Sequence, residues 1–272
     1  MPRLLKNTLQ KTLQKTLQKT LTLAIIWLAL QASHVYANEP ILLQERPLRI
    51  AVAANFAPAL KVLLADLPNN TNIDYQIISA ATGTLYQQIK HGAPFDLFLS
   101  ADSTRPALLE QAGLIIENSR KSYAYGQIAL WSATQPLTSL SILNNYSGNL
   151  AIANPDTAPY GKAAKQALTY LSLWSEQKTK LVTGINISQT FQQVRSQAVP
   201  LGFVAYSQLK MNQYQGLLIP EQFYQPIEQQ LVIVKTSKQV AIAQKLSDFI
   251  LQTNSQATLQ QLGYLPVKTE ND

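Results

Sequence analysis

Apolar residues along the chain alternate between short uninterrupted runs and a three- and four-residue repeat. The run 48–54 predicts a buried strand, and Leu60, Leu63, Leu64 and Leu67 then mark one face of a helix. Further strands are predicted at 73–79, 96–100, 127–131, 150–154, 181–183, 201–205 and 229–234, with helices at 57–67, 84–90, 105–112, 162–173, 188–196 and 240–251. This alternation predicts an α/β fold with largely parallel sheets, and roughly 235 residues after position 37 fit two lobes better than one sheet.

The first 37 residues have the features of a secretory signal peptide. Their charged side chains are all basic: Arg3, Lys6, Lys11, Lys15 and Lys19. The apolar run 21–30 is too short for a membrane span, which needs roughly 20 residues, and Val35 and Ala37 suit a cleavage site after Ala37. An uncleaved anchor is the alternative. With no Cys to lipidate, the mature protein is expected to be soluble in the periplasm.

Composition excludes several classes of protein. Hydrophobic residues make up 46% of the chain, charged residues 14%, and cysteine is absent, so neither a disordered chain nor a disulfide framework nor a Cys-ligated metal is expected. The formal charge of +7 lies mostly in the leader; after position 37, 17 basic residues face 15 acidic ones. No basic tract remains there, and we expect no nucleic-acid partner.

The motifs of most enzyme classes are missing. His91 is the one histidine after position 37, and it sits at a predicted helix end, where an exposed structural role is expected. No Gly-x-Ser-x-Gly elbow, phosphate-binding loop or dinucleotide fingerprint is present. Asp96 and Asp102 stay open as acids or metal ligands of a hydrolase, although a hydrogen-bonding role near a strand-to-helix turn is the simpler interpretation.

Polar turns follow four of the predicted strands and precede helices. They lie at Asn55, at 80–84, at 154–161 and at 183–188. In open α/β sheets such turns lie at the carboxyl ends of strands, where helix N-termini offer N–H groups to an anion. Ordinary helix caps are the alternative.

The same turns carry a recognisable set of motifs. In order, these are Ala51-Val-Ala-Ala-Asn-Phe56, Ser79-Ala-Ala-Thr-Gly-Thr-Leu85, Gly92-Ala-Pro-Phe-Asp-Leu-Phe-Leu-Ser-Ala-Asp102, Ala153-Asn-Pro-Asp-Thr-Ala-Pro-Tyr-Gly161, Gly184-Ile-Asn-Ile-Ser-Gln189 and Pro200-Leu-Gly-Phe-Val204. Together they resemble the periplasmic molybdate-binding proteins of ABC importers. The resemblance implies a two-lobe type II binding-protein fold with the ligand cleft between lobes, the first holding 38–122 and 226–272 and the second 123–225.

The resemblance also implies a set of ligand contacts. The matching positions are Ala54, Asn55, Thr82, Gly83, Tyr160 and Ile187. Some family members add a tyrosine after the Gly-x-Val strand, but here Ala205 holds that place. Tyr206 comes one residue later, and we expect it to pack in the second lobe. If the side chains of Thr82 and Asn55 bind the ligand directly, Thr82→Val and Asn55→Ala should weaken binding without greatly changing the stability of the ligand-free protein.

The function implied is capture of molybdate, with tungstate as a close second ligand, and delivery to the membrane permease of an ABC importer by a monomer. The matched residues carry no charge and no direct metal ligand, so donors alone would hold the oxyanion; neither a cofactor nor enzymatic activity is expected. Alternatives are sulfate, another oxyanion, a metal ion, or hydrolysis by Asp96 and Asp102. A metal site of clustered tyrosines is not indicated, because the tyrosines at 123, 125, 206 and 214 miss the matching turns.

Overall fold

A computed structural model of the protein describes residues 15–22, 27, 46–67 and 73–267. Residues 1–46 and 47–272 form two separate units. Of the first unit, 15–22 is helical, whereas the predicted cleavage site and most of the apolar run lie outside the described residues. In the described part of the chain, no helix is both long and apolar enough to cross a membrane.

The predicted alternation of strands and helices is present in the second unit. The strands are β1 (Leu48–Ala53), β2 (Tyr75–Ala80), β3 (Leu97–Leu99), β4 (Lys121–Gly126), β5 (Ile128–Trp131), β6 (Leu150–Ala153), β7 (Leu181–Gly184), β8 (Leu201–Ala205), β9 (Leu217–Leu218) and β10 (Ile227–Ile233). The helices are α1 (Ala57–Ala65), α2 (Thr82–Lys90), α3 (Thr104–Gln111), α4 (Pro159–Tyr170), α5 (Trp174–Gln177), α6 (Ile187–Arg195), α7 (Tyr206–Met211), α8 (Val240–Leu251) and α9 (Thr253–Gln261). Short 3₁₀ turns lie at Leu140–Asn145 and Glu221–Phe223.

The strands form two mixed sheets of five strands, one in each lobe. The first sheet has the order β2-β1-β3-β10-β4 and the second the order β7-β6-β8-β5-β9. Four strands of each sheet run in one direction, and β10 or β5 runs in the opposite one. The two-lobe type II fold predicted from the sequence is therefore confirmed, with one reversed strand in each largely parallel sheet.

Each sheet is covered by apolar side chains on both faces. In β1, Ile50 and Val52 join one core cluster and Ala51 joins another, as alternating strand positions require. In the second sheet, Ile152 and Ala151 divide in the same way. Helices pack on these faces, and Leu60, Leu63 and Leu64 of α1 are buried as their spacing predicts.

The chain passes from the first sheet to the second between Gly126 and Ile128, and it returns before Ile227. The predicted boundary placed 123–126 in the second lobe. These residues instead belong to β4, which pairs with β10 in the first sheet. The sequence did not indicate this strand because polar and apolar residues alternate only weakly in β4. Its place in the first sheet depends on pairing with β10, a tertiary contact. The remaining lobe boundaries stay a prediction.

Candidate functional site

The polar turns lie at the carboxyl ends of neighbouring strands in each lobe. In the first lobe, the N–H of Ala54 donates to the carbonyl of Ala80 at 3.0 Å and ties the turn after β1 to the turn after β2. In the second lobe, the N–H of Asn154 donates to the carbonyl of Gly184 at 2.9 Å and ties the turns after β6 and β7. Each lobe thus presents two adjacent helix N-termini at one edge.

These two edges meet between the lobes. Hydrogen bonds join them from the Gly83 N–H to the Thr157 carbonyl at 2.8 Å, from Ser188 Oγ to the Ala54 carbonyl at 2.9 Å, and from Asn55 Nδ2 to Tyr160 Oη at 3.3 Å. Ala54 and Ala81 of the first lobe share one apolar cluster with Tyr160 and Ile187 of the second. The structure is therefore a closed form, and it brings the six predicted residues to one junction.

All six predicted residues are buried at this junction. The side chains with polar atoms are the informative ones, because a buried polar group must find a partner. Asn55 is 2% exposed, and Thr82 and Tyr160 are each 1% exposed. Neutral donors are thus held in a nearly dry environment, where a hydrogen bond to an anion is strong.

Thr82 is the first residue of α2 but does not cap it. The N-cap residue is Ala81, which has no side-chain oxygen. The hydroxyl oxygen of Thr82 instead accepts from the N–H of Ala101 at 3.2 Å. With that oxygen already accepting, the hydroxyl hydrogen is directed toward another acceptor, so Thr82 is suited to donate to a ligand.

Tyr160 enters the junction from the first turn of α4. Burial raises its pKa well above the ordinary value, with Tyr264 and Tyr224 adding to the effect, while the neighbouring side chains of Asn55 and Gln229 oppose it. The phenol is therefore neutral at physiological pH and can donate. Its ring occupies the space where a side chain at Gly126 would lie, because a β-carbon there would overlap the phenol oxygen.

Ile187 is the first residue of α6. Asn186 caps this helix, since its Oδ1 accepts from the N–H of Gln189 at 2.9 Å. The N–H of Ile187 has no acceptor within its own helix, as at every helix start. Its carbonyl accepts from Gln208 Nε2 at 3.3 Å, which fixes this end of α6 against the start of α7.

Two of the predicted ligand-binding residues, Ala54 and Gly83, use their N–H groups within the protein in this structure. The N–H of Ala54 is donated to Ala80 and that of Gly83 to Thr157, as described above. Both N–H groups therefore hold the turns and the lobes together in this closed form. Sequence motifs place the turns but do not reveal which N–H groups the fold itself consumes.

A charged pair beside the junction was not predicted. Arg105 forms an ion pair with Asp102, and its Nη2 donates to the carbonyl of Asp156 in the other lobe at 2.9 Å. The guanidinium lies close to Gly83, since a β-carbon there would be 3.0 Å from Nη2. The i,i+3 spacing of Asp102 and Arg105 is the sequence signal that could have indicated the pair.

A cavity of about 510 Å³ opens next to this pair and is lined by both lobes. Gly83, Arg105, Thr157 and Lys162 contribute to its wall. Of the six predicted residues only Gly83 lines this cavity, so the cavity lies beside the junction and not at its buried polar side chains.

The two carboxylates left open by the sequence have structural partners. Asp96 is fully buried and accepts from the N–H of Arg49 at 2.8 Å and from Ser237 Oγ at 2.7 Å. Asp102 accepts from the N–H of Arg105 at 3.1 Å in the first turn of α3. Both carboxylates accept hydrogen bonds as predicted, but only Asp102 does so near a strand-to-helix turn, since Asp96 directly precedes β3. Within the described residues, no group of three His, Cys, Asp or Glu side chains is placed to hold a metal ion.

Two further expectations concern residues at the margin of the site. His91 is exposed at the end of α2, where its Nδ1 lies 2.7 Å from the Gln87 carbonyl, as predicted. Tyr206 packs against the apolar cluster of the second lobe that contains Trp131 and Phe191. Its predicted packing role is confirmed.

Comparison with known proteins agrees with this geometry. A family model described as a bacterial extracellular solute-binding protein matches residues 48–265. The chain belongs to this family. The molybdate-binding protein ModA of Azotobacter vinelandii is 37% identical to this solute-binding protein over 81% of the chain and 90% of the relative. The ModA protein of Rhodobacter capsulatus is 34% identical over 79% and 86%.

The fold comparison leads to the same group. The solved structure of the Azotobacter vinelandii periplasmic molybdate-binding protein matches this solute-binding protein with a TM-score of 0.77 and 32% identity. The match covers 81% of this chain and 100% of that one. The resemblance predicted from the turn motifs is confirmed by these relatives.

Proposed function

We propose that this solute-binding protein captures molybdate, and also tungstate, between its lobes in the periplasm and delivers it to the permease of an ABC importer. The observation that supports this proposal most directly is the buried junction, where neutral donors at helix N-termini of both lobes meet. The curated relatives at 37% and 34% identity are molybdate-binding proteins, which supports the choice of ligand.

The donor set suits a fully deprotonated oxyanion. Molybdate at neutral pH is a dianion that accepts hydrogen bonds and donates none. The hydroxyls of Thr82 and Tyr160 and the N–H of Ile187 would supply donors to it, and the positive ends of α2, α4 and α6 would add a favourable field. Preorganised neutral dipoles in a dry site stabilise such a charge without a formal counter-ion.

The same donor set disfavours hydrogen phosphate. That anion carries a proton which needs an acceptor, and a hydroxyl facing only donors leaves polar groups unmatched at a cost of about 1–3 kcal/mol each. Sulfate has the right charge and no proton, so donor chemistry alone does not reject it. Discrimination against sulfate would have to come from its smaller size.

The ligand would also hold the lobes together. Thr82 belongs to the first lobe, whereas Tyr160 and Ile187 belong to the second, so one oxyanion would contact both. Binding energy would then favour the closed form seen here, in the manner of hinge closure around a ligand. We expect the permease to recognise this closed form and the protein to act as a monomer after cleavage at Ala37.

Titration calorimetry with molybdate, tungstate, sulfate and phosphate tests the proposal. We expect molybdate and tungstate to bind with similar affinity and one-to-one stoichiometry, sulfate to bind more weakly, and phosphate to give no heat of binding. Tight sulfate binding with no response to molybdate would contradict the choice of ligand. Release of alcohol from a generic ester by the purified protein would favour the hydrolase alternative instead.

A further inference from the structure

Gln229 is a fully buried polar residue next to the proposed site. It lies on β10, and its Oε1 accepts from Asn55 Nδ2 at 2.7 Å and from Tyr123 Oη at 3.3 Å. Its Nε2 is buried and completes no hydrogen bond with the described protein atoms. A buried amide nitrogen without a partner is rare and calls for an explanation.

The Tyr160 hydroxyl lies near two carboxamides. Asn55 Nδ2 donates to it at 3.3 Å. Gln229 Nε2 also lies near it, because a β-carbon at Gly126 would overlap the phenol oxygen and lie 3.2 Å from that nitrogen. Both carboxamides oppose the rise in the pKa of Tyr160 caused by burial, as groups that present N–H to the phenol oxygen should.

The Asn55 side chain is fully used by these contacts. Its amide nitrogen has two hydrogens, and they go to Gln229 Oε1 and Tyr160 Oη. Direct donation from Asn55 to the ligand stays a prediction, since in this form both amide hydrogens have protein acceptors. The Asn55 carboxamide connects β10 of the first lobe to the phenol of the second.

We propose that Gln229 is a positioning residue of the anion site, which together with Asn55 holds the Tyr160 hydroxyl as a donor toward the bound oxyanion. This inference rests on the proposed function. Because Asn55 Nδ2 donates to the phenol oxygen and the Gln229 amide lies near it, the phenol hydrogen must point to a different acceptor. In the absence of the Gln229 amide, the hydroxyl could rotate and lose its alignment with the ligand.

A double-mutant cycle tests whether Gln229 acts through Tyr160. Gln229→Met keeps the length of the side chain and removes the amide, and we expect molybdate affinity to fall about tenfold, the effect of one misaligned hydrogen bond to an anion. In a Tyr160→Phe background, the same substitution should change affinity less than twofold. Equal losses in both backgrounds would show a merely structural role and overturn the inference.

Gln177→Met is the matched control. Gln177 is also fully buried, and its Nε2 donates to the Tyr146 carbonyl at 3.1 Å within the second lobe. The methionine variant loses this hydrogen bond. The affinity of the Gln177→Met variant for molybdate should stay within twofold of wild type, although its free energy of unfolding falls. Comparable weakening in Gln177→Met and Gln229→Met would overturn the inference, because any buried polar loss would then suffice.

Gln229→Glu is a second variant, which keeps the shape of the side chain and removes the amide nitrogen. It retains the oxygen that accepts from Asn55 and Tyr123 but replaces the amide nitrogen by an acceptor, which would attract the phenol hydrogen. Affinity should fall more than tenfold, and wild-type affinity in this variant would overturn the inference. If the wild-type protein binds molybdate and the Gln229 variants bind it equally well, the positioning role alone is overturned. If the wild-type protein does not bind molybdate, the proposed function is overturned and the inference with it.

Discussion

Replacement of Thr82 by valine should weaken molybdate binding and also destabilise the ligand-free protein. The valine keeps the shape of the side chain and removes the hydroxyl. Loss of one charge-assisted hydrogen bond reduces the binding free energy by roughly 1.5–3 kcal/mol, which is about one to two powers of ten in affinity. At a ligand concentration of 100 times the wild-type Kd, stabilisation by ligand should fall from about 2.7 kcal/mol to less than half of that in a variant thirty-fold weaker.

The loss of stability follows from the Ala101 N–H. Thr82 Oγ1 accepts from this buried group at 3.2 Å, so valine would leave it unpaired at a cost of about 1–3 kcal/mol. This corrects the expectation, drawn from the sequence, that apo stability would hardly change. The helix-cap alternative is also wrong for Thr82, because the α2 N-cap is Ala81.

Ser119→Ala is the matched control for that variant. Ser119 Oγ accepts from the buried N–H of Ile233 at 3.1 Å, so alanine also leaves a backbone donor unpaired, but away from the lobe junction. Chemical denaturation without ligand should show similar destabilisation in Ser119→Ala and Thr82→Val. Calorimetry should show weakened binding in Thr82→Val alone, and Thr82→Ser should retain it. Wild-type affinity in Thr82→Val would refute the assignment of the hydroxyl to the ligand.

Three further predictions follow from the geometry around the junction. Gly126→Ala should weaken molybdate binding at least tenfold in calorimetry, because its β-carbon would displace the Tyr160 phenol; unchanged binding would show that the phenol is not needed. The free energy of unfolding should fall as pH rises from 10 to about 12, by up to roughly 1.4 kcal/mol per pH unit for each buried tyrosine, because burial raises the pKa of Tyr264 to about 12 and only the unfolded phenol ionises in that range. Denaturation at several pH values measures this slope, which Tyr264→Phe should make shallower, and a flat profile would contradict it. Arg105→Met should raise the molybdate dissociation rate several-fold in stopped-flow measurements, because it removes the bond to the Asp156 carbonyl that helps to close the lobes; an unchanged rate would mean that this bond does not retain the ligand.

The strands and helices that the sequence predicts well are those with a continuous apolar face. The interior strand β1 is almost entirely buried, and α8 was predicted with the observed bounds. The elements that were missed lack such a face. In α9 only Ser255 and Leu259 are buried, so no apolar repeat marks the helix. Its position depends on packing against the rest of the lobe, which a local pattern does not contain.

Some parts of the candidate site can likewise be predicted from the sequence and others cannot. The turns at Thr82, Tyr160 and Ile187 are readable from the sequence because small and polar residues follow apolar strands at fixed spacing. The hydrogen-bond partner of the Asn55 side chain cannot be predicted from the sequence, since Gln229 lies 174 residues away. No local signal singles out Gln229 either, because it stands in the polar run Glu228-Gln229-Gln230 of β10.

The closed junction implies that ligand capture and lobe closure are coupled. Protein-only hydrogen bonds across the junction, four of which are described above, each contribute about 0.5–1.5 kcal/mol net, so together they already favour closure by roughly 2–6 kcal/mol. An oxyanion held by donors of both lobes adds charge-assisted bonds of about 1.5–3 kcal/mol each, realised together only in the closed form. Two such bonds reach about 3–6 kcal/mol, against the roughly 5.5 kcal/mol that reverses a two-state population from 1:99 to 99:1. Neutral donors from both lobes thus strengthen closure around the dianion, and this added stabilisation is lost when the ligand leaves.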